Sequence, residues 1–413
     1  MYLNHLSLTQ FRNFARLDLD VPKGAVMLLG ANAQGKTSLL ESIYYLATFA
    51  SFHATNDRQL INFLAGQEPV GVARIIASFH RSSPCSSPML KPGTHRLEVR
   101  IIQEANGYAN GSARVRREVI LDGADRKLGE TIGAFNAVLF LPQTLRVLEG
   151  APEERRRYLN LTLGQVQPHY AALLSSYSRG LTQRNALLKQ LSERGGDAEQ
   201  LRFWDEQLAL NGAQLIHARI HAVQGLERLA ARIHRELTHG EEILRFSYEP
   251  AYDPLPRAAR QYALPIDAHL DRWNIPLQRI QEGFLESLRR LRSEEMARGE
   301  TTIGPHRDEL RFLSNGLDLG IYGSRGQVRT AVLSLKLAEV MWMKEKTGEW
   351  PVLLLDEVLA ELDSQRRLDL LNRLLETEQI LLTTTDLDLF TKEFASQSTL
   401  WRIDAGRVFS EPG

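Results

Sequence analysis

The chain is poor in the features that would place a protein outside the cell or in a membrane. It carries one cysteine, Cys85, in 413 residues, so no disulfide can form within it. A reducing, cytoplasmic setting is expected. No apolar run approaches the length that spans a bilayer. The opening Met1-Tyr2-Leu3-Asn4-His5 lacks the charged start and apolar core of a secretory signal. Neither sign of charge is in excess, with 50 Lys plus Arg against 50 Asp plus Glu. A polyanionic partner would therefore be met by local segregation of charge, not by net charge. No Cys/His spacing of a metal site is present.

What remains is an ordinary globular composition, 43% hydrophobic and 24% charged, long enough for about two to three domains. One stretch organises it. Ala25 to Leu29 is apolar and reads as a strand, Gly30-Ala31-Asn32-Ala33-Gln34-Gly35-Lys36-Thr37 follows, and an apolar helix continues from Ser38. The spacing G-x-x-x-x-G-K-T is that of a phosphate-binding loop. Gly30 and Gly35 let the backbone curl so that successive N–H groups form an anion nest. Lys36 brings a point charge to the terminal phosphates, Thr37 a hydroxyl for Mg2+, and the helix its positive end. A nucleoside triphosphate site with Mg2+ is expected over Gly30 to Ser38.

A second tract completes such a site. Pro351-Val352-Leu353-Leu354-Leu355-Asp356-Glu357 is an apolar run ending in two acids, as a strand buried on both faces would read. Carboxylates at its C-terminal end fall where α/β sheets bind ligands. Asp356 suits a contact to Mg2+, and Glu357 suits a general base for the attacking water. Tyr322-Gly323-Ser324-Arg325-Gly326-Gln327 opens another helix, which Ser324 can cap while Gly326 leaves backbone accessible. Ala360-Glu361-Leu362-Asp363 and the strand Leu381 to Thr385 follow.

Between these tracts lies a β-rich block (Val72 to Phe79, Arg96 to Ile102, Arg116 to Leu121), interrupted by a Ser/Pro-rich tip around Cys85. Asn136 to Leu141 is one more apolar strand. Helical periodicity then runs from Tyr170 to Leu191 and from Leu201 to Leu237, with a break at Gly195-Gly196 that predicts an antiparallel helix pair. Another helix is expected from Pro276 to Ala297. Leu310 and Phe312 against Leu317, Leu319 and Ile321 read as a hairpin, and Trp204 and Trp273 as core. The expected divisions are 1–150 for the first ATPase lobe, 151–300 for a helical lobe and 301–413 for the completion of the ATPase.

Taken in order, the phosphate loop, Gln143 after a strand, Ser-x-Gly-Gln, the Asp-Glu strand and x-x-Leu-Asp resemble the ATP-binding-cassette, SMC-like ATPases. Gln10-Phe11-Arg12-Asn13-Phe14, Phe140-Leu141-Pro142 and Thr302-Ile303-Gly304-Pro305-His306-Arg307-Asp308 narrow the likeness to the branch that serves DNA replication and repair. The resemblance implies an α/β P-loop ATPase head with an inserted helical lobe. It implies that Arg12 and Asn13 lie near base or ribose, and that Gln143 senses the γ-phosphate and Mg2+. Lys36, Asp356, Glu357 and Gln143 would be catalytic. Ser324, Gly326 and Gln327 would reach the γ-phosphate held by a second subunit, with Asp363 on the cross-subunit loop. Slow hydrolysis, an ATP-dependent homodimer, duplex or gapped DNA, RecO- and RecR-type partners and, indirectly, RecA are implied with it. Two other readings are weaker. A soluble transporter ATPase subunit would carry a histidine where Thr384-Thr385-Asp386 stands. A structural chromosome-maintenance head would need a long coiled coil, which the Pro-rich stretch from Pro250 to Pro265 cuts short.

Overall fold

Gly24–Leu29 (β3) is an apolar strand whose central residues are buried, and a parallel sheet grows around it. In the computed structural model, which describes residues 1–82, 90–104, 114–255 and 272–410, β3 lies between Gln379–Thr384 (β13) and Ser398–Asp404 (β14). Val352–Asp356 (β12) and Ala137–Phe140 (β8) extend one side in parallel, while Arg407–Ser410 (β15) adds an antiparallel edge, giving the order β15-β14-β3-β13-β12-β8. Every residue of β8, β12 and β13 is buried, as expected of strands covered on both faces.

A second sheet is antiparallel. Tyr2–Phe11 (β1), Phe14–Asp20 (β2), Val70–Arg81 (β4), Gly93–Glu104 (β5), Arg114–Leu121 (β6) and Ala124–Arg126 (β7) pair in the order β2-β1-β4-β5-β6-β7. The helix Lys36–Thr48 shares one apolar cluster with both sheets. Leu39, Leu40, Ile43, Leu46 and Ala47 meet Leu6, Leu8, Ile75 and Val99 of the antiparallel sheet, and Val26, Leu354 and Leu381 of the parallel one. Burial of this order, at roughly 25 cal/mol per Å² of apolar surface, fixes the helix and hence the loop that precedes it.

These elements form one compact unit, Met1–Thr144 with Gln165–Pro168 and Glu339–Gly413. The other unit comprises Leu145–Gly164 and His169–Ala338. The second division thus falls inside the helix Arg325–Thr347 and not near residue 300, so 301–338 belongs with the helical lobe. Helices Tyr170–Arg194 and Arg202–Leu237 flank the expected Gly195-Gly196 break, and Leu277–Arg298 packs on both. The buried Arg184 guanidinium ties the three, pairing with Asp205 at 2.8 Å and Glu295 at 2.7 Å and donating to Thr301 Oγ1. Charges this deep persist only when paired.

Leu244–Glu249 (β9), Glu309–Ser314 (β10) and Leu317–Asp318 (β11) form a small sheet in this second unit. The expected long hairpin is cut short there, because Leu319–Tyr322 turns helical behind the Asp318 cap. Trp204 is only half-buried, edge-on to Phe203, and Trp273 is 43% exposed, so neither is core. Residues 83–89, with Cys85, and 256–265 of the Pro-rich stretch lie outside the described residues.

The Gly304-to-Asp308 motif is a structural knot. Asp308 accepts from Arg219 at 2.7 Å and from the Tyr248 hydroxyl, joining the long helix to β9. His306 Nδ1 lies 2.7 Å from the Tyr177 hydroxyl and Nε2 3.2 Å from the Thr301 carbonyl. Burial pushes the imidazole down from 6.5 to about 4. Between those values the unfolded chain takes up a proton that the folded one refuses, so stability falls as pH drops through that window. Chemical denaturation from pH 8 to 4 is expected to show this loss, and His306→Gln to flatten it, so that the stability gap between the two proteins narrows toward pH 4.

Candidate nucleotide site

The phosphate loop leaves β3 at Leu29 and enters the helix Lys36–Thr48. Gly30 runs so close to the β14 backbone that a Cβ there would lie 2.4 Å from Ile403 O. Gly35 has φ +115°, and a Cβ on it would meet Asn13 Nδ2 at 2.5 Å. Both positions therefore demand glycine. Asn13 Nδ2 donates to Gln34 O at 3.0 Å, and Gln34 Oε1 accepts from Ala405 N at 2.6 Å, holding the loop from two sides. Ala31, Asn32 and Ala33 stand exposed at its crest.

Lys36 is 4% exposed. Its Nζ donates to Gly30 O at 2.6 Å and lies 3.3 Å from Glu357 Oε1. Thr37 Oγ1 donates to the Asp356 carboxylate, 3.0 and 3.1 Å from its two oxygens. Burial raises the Asp356 carboxyl above the usual range, although hydrogen bonds from Thr383 and Thr37 pull the other way. Glu357 is partly exposed and takes φ +52°, the left-handed conformation that turns the chain sharply off β12. One cleft of about 1080 Å³ is lined by Lys36, Thr37, Asp356 and Glu357, with Ser38, Gln143, Arg12, Asn62 and Phe63 also in its wall.

Arg12 is fixed before any ligand arrives. Its Nε and Nη2 donate to Glu41 at 2.7 and 2.8 Å, and Nη1 donates to Gln59 O at 2.9 Å. The guanidinium edge is thus committed, and what it offers the cleft is charge and a flat face. In the other unit, Ser324 Oγ accepts from Gln327 N at 3.3 Å and Gln327 Oε1 accepts from Ser324 N at 3.0 Å, a reciprocal cap. Ser324 and Gly326 are exposed, and Gln327 Nε2 reaches Glu242 Oε1 at 3.2 Å. Asp363 caps Ser364–Leu374 by accepting from Arg366 N at 3.0 Å, and its pairing with Arg366 holds its carboxyl low.

Two residues of this arrangement escaped the sequence reading. Thr383 donates to Asp356 Oδ1 at 2.7 Å and accepts from Glu357 N at 3.0 Å, setting both acids from the neighbouring strand. In the neighbouring run Thr384-Thr385-Asp386, the Thr384 hydroxyl bonds locally with Asp386. Glu41, 1% exposed, anchors Arg12 and accepts from Ser51. Its signal was a lone acid within the apolar helix after the loop.

A family model described as RecF/RecN/SMC N terminal domain matches residues 2–403. The DNA replication and repair protein RecF of Roseiflexus castenholzii is 38% identical over 99% of this chain and 100% of its own length. The chain belongs to the RecF family. RecF of Enterococcus faecalis is 35% identical over 99% of this chain and 98% of its own. Among solved structures, the recombination mediator protein RecF with ATP in the RecFOR pathway matches at TM-score 0.80 and 28% identity, covering 100% of this chain and 98% of that one. An SMC head bound to the C-terminal winged-helix domain of ScpA matches at TM-score 0.53 and 14% identity, covering 100% and 98%. That second likeness is one of fold. The architecture is accordingly the SMC-like, ATP-binding-cassette head that the RecF family carries, with its inserted helical lobe.

Thr383→Val keeps the shape of the strand but strips Asp356 of its closest donor in a buried setting. The expected cost is about 1–3 kcal/mol of stability, measured by urea denaturation.

Proposed function

We propose that this chain is an ATP-dependent DNA-binding protein of recombinational repair and replication restart. In this reading ATP and Mg2+ join two copies, slow hydrolysis releases them, and duplex or gapped DNA is held meanwhile. RecO- and RecR-type proteins would be its partners in helping RecA onto DNA. The observation that carries the reading is the convergence of Lys36, Thr37, Asp356 and Glu357 in one cleft at the C-terminal ends of β3 and β12.

The donors fit a magnesium nucleotide. Thr37 and Asp356 are hard oxygen ligands already in contact, and the buried Lys36 ammonium faces loop carbonyls that a phosphate can outcompete. Mg2+, when bound, would neutralise charge on the phosphates. Backbone N–H groups of the Gly30-to-Ser38 loop and the start of the helix Lys36–Thr48 bind the anion. Glu357, accessible and turned off the strand, orients water and accepts its proton, while Gln143 aligns the terminal phosphate. Arg12 and Asn13 serve the nucleoside end. On the second copy, Ser324, Gly326 and Gln327 would close on the γ-phosphate with a helix N-terminus, and Asp363 would border that contact.

Several arginines that the sequence sets in clusters are paired with acids: Arg116 with Glu104 and Glu118, Arg155 with Glu309, and Arg292 with Asp205 and Glu199. Retention on DNA would fall with salt.

Glu357→Gln tests the catalytic half. ATP should still bind, turnover should drop by roughly a hundred- to ten-thousand-fold, and DNA complexes should last longer because the ATP-bound pair persists. Normal turnover would remove Glu357 from catalysis, and faster DNA release would break the link between dimer and DNA. Ser324→Arg tests the other half. Light scattering should show ATP-dependent dimerisation abolished while calorimetry shows monomer affinity for ATP intact.

A further inference from the structure

The wall of the cleft contains a buried acceptor with nothing to accept. Gln103, on β5, lines the cleft and is 3% exposed. Its Nε2 donates to Gly66 O at 3.1 Å. That bond fixes the amide, because turning it over would set Oε1 against a carbonyl oxygen. Oε1 has no hydrogen-bond partner among the described residues. A buried polar atom left unpaired costs about 1–3 kcal/mol, so a fold that keeps one in a ligand cleft invites a reason.

The surroundings suit a nucleobase. Arg12 and Asn62 line the same cleft, and Asn62 Nδ2 donates to Arg12 O at 2.7 Å, tying the segment 62–67 to Arg12. Phe63 and Leu64, 77% and 72% exposed, stand on that segment. The turn at Ala65–Gln67 lies on the strand pair at Gly71 and Gln103. Oε1 is closed to water as it stands, so a base seated against it would shift this exposed tip, whose apolar side chains gain cover by doing so.

We propose that Gln103 reads the base of the bound triphosphate, its Oε1 accepting a hydrogen bond from an exocyclic amine, so that the site favours adenine over 6-oxopurines. The inference rests on the nucleotide reading above and adds its base selectivity. Guanine and hypoxanthine present a carbonyl oxygen at the 6 position, which would face Oε1 acceptor to acceptor. Sites built around a hydrogen bond to ligand reject an analogue lacking it far better than sites that measure size alone.

The test is calorimetric titration of the full chain with ATP and with inosine triphosphate, for the unmodified protein and for Gln103→Met. Unmodified protein should bind ATP at least about tenfold more tightly than the inosine nucleotide, the difference one well-placed hydrogen bond makes. Gln103→Met should lose affinity for ATP and little for inosine triphosphate, bringing the ratio near one. Equal binding of the two by unmodified protein overturns the proposal, and that arm needs no variant to fold. A Gln103→Met protein that retains the full ratio overturns it too. If neither triphosphate binds, the nucleotide reading itself fails and takes this inference with it.

Discussion

One buried carboxylate holds the site together. Asp356 ends the fully buried strand β12, and two hydroxyls from different elements converge on it: Thr37 from the first turn after the phosphate loop and Thr383 from β13. Burial alone would drive the carboxyl toward its neutral form. The hydroxyls oppose that, and so would a cation. The loop, the acid pair and the central sheet are thereby registered to one another by bonds that each need the others in place.

The apolar core makes that registration possible. The helix Lys36–Thr48 is buried on nearly all sides because two sheets share it, and its N-terminus is therefore a fixed point. Lys36 and Glu357 then face each other across 3.3 Å, and the lysine also donates to the Gly30 carbonyl of the loop. Arg12 is likewise locked by Glu41, so that its position is settled by the protein itself.

The helical lobe uses charge differently. Arg184 and Arg219 are buried with Asp205, Glu295 and Asp308, and the Gly304-to-Asp308 motif spends its polar atoms on these knots. His306 is held neutral within them. At the start of the helix Arg325–Thr347, by contrast, Ser324 stands exposed and its reciprocal cap with Gln327 is a local one.

Local pattern was enough for much of this. The apolar runs ending in Gly30 and in Asp356-Glu357, the glycines of the loop, the Gly195-Gly196 break and the Ser324 cap are each written within a dozen residues. Each follows from backbone freedom, periodicity or capping chemistry, which neighbouring residues decide. The tertiary structure alone decided which side chains answer across the chain. Thr37 meets Asp356 over 319 positions and Thr383 meets it over 27, and nothing in the run Thr383-Thr384-Thr385 says which hydroxyl points at the acid. Arg12 with Glu41, Gln103 with Gly66 and the short β11 in place of a full hairpin strand belong to the same class. Strand order, and the side of each strand that faces a neighbour, are settled by packing in three dimensions, and a hydrogen-bond partner is chosen only once that packing exists.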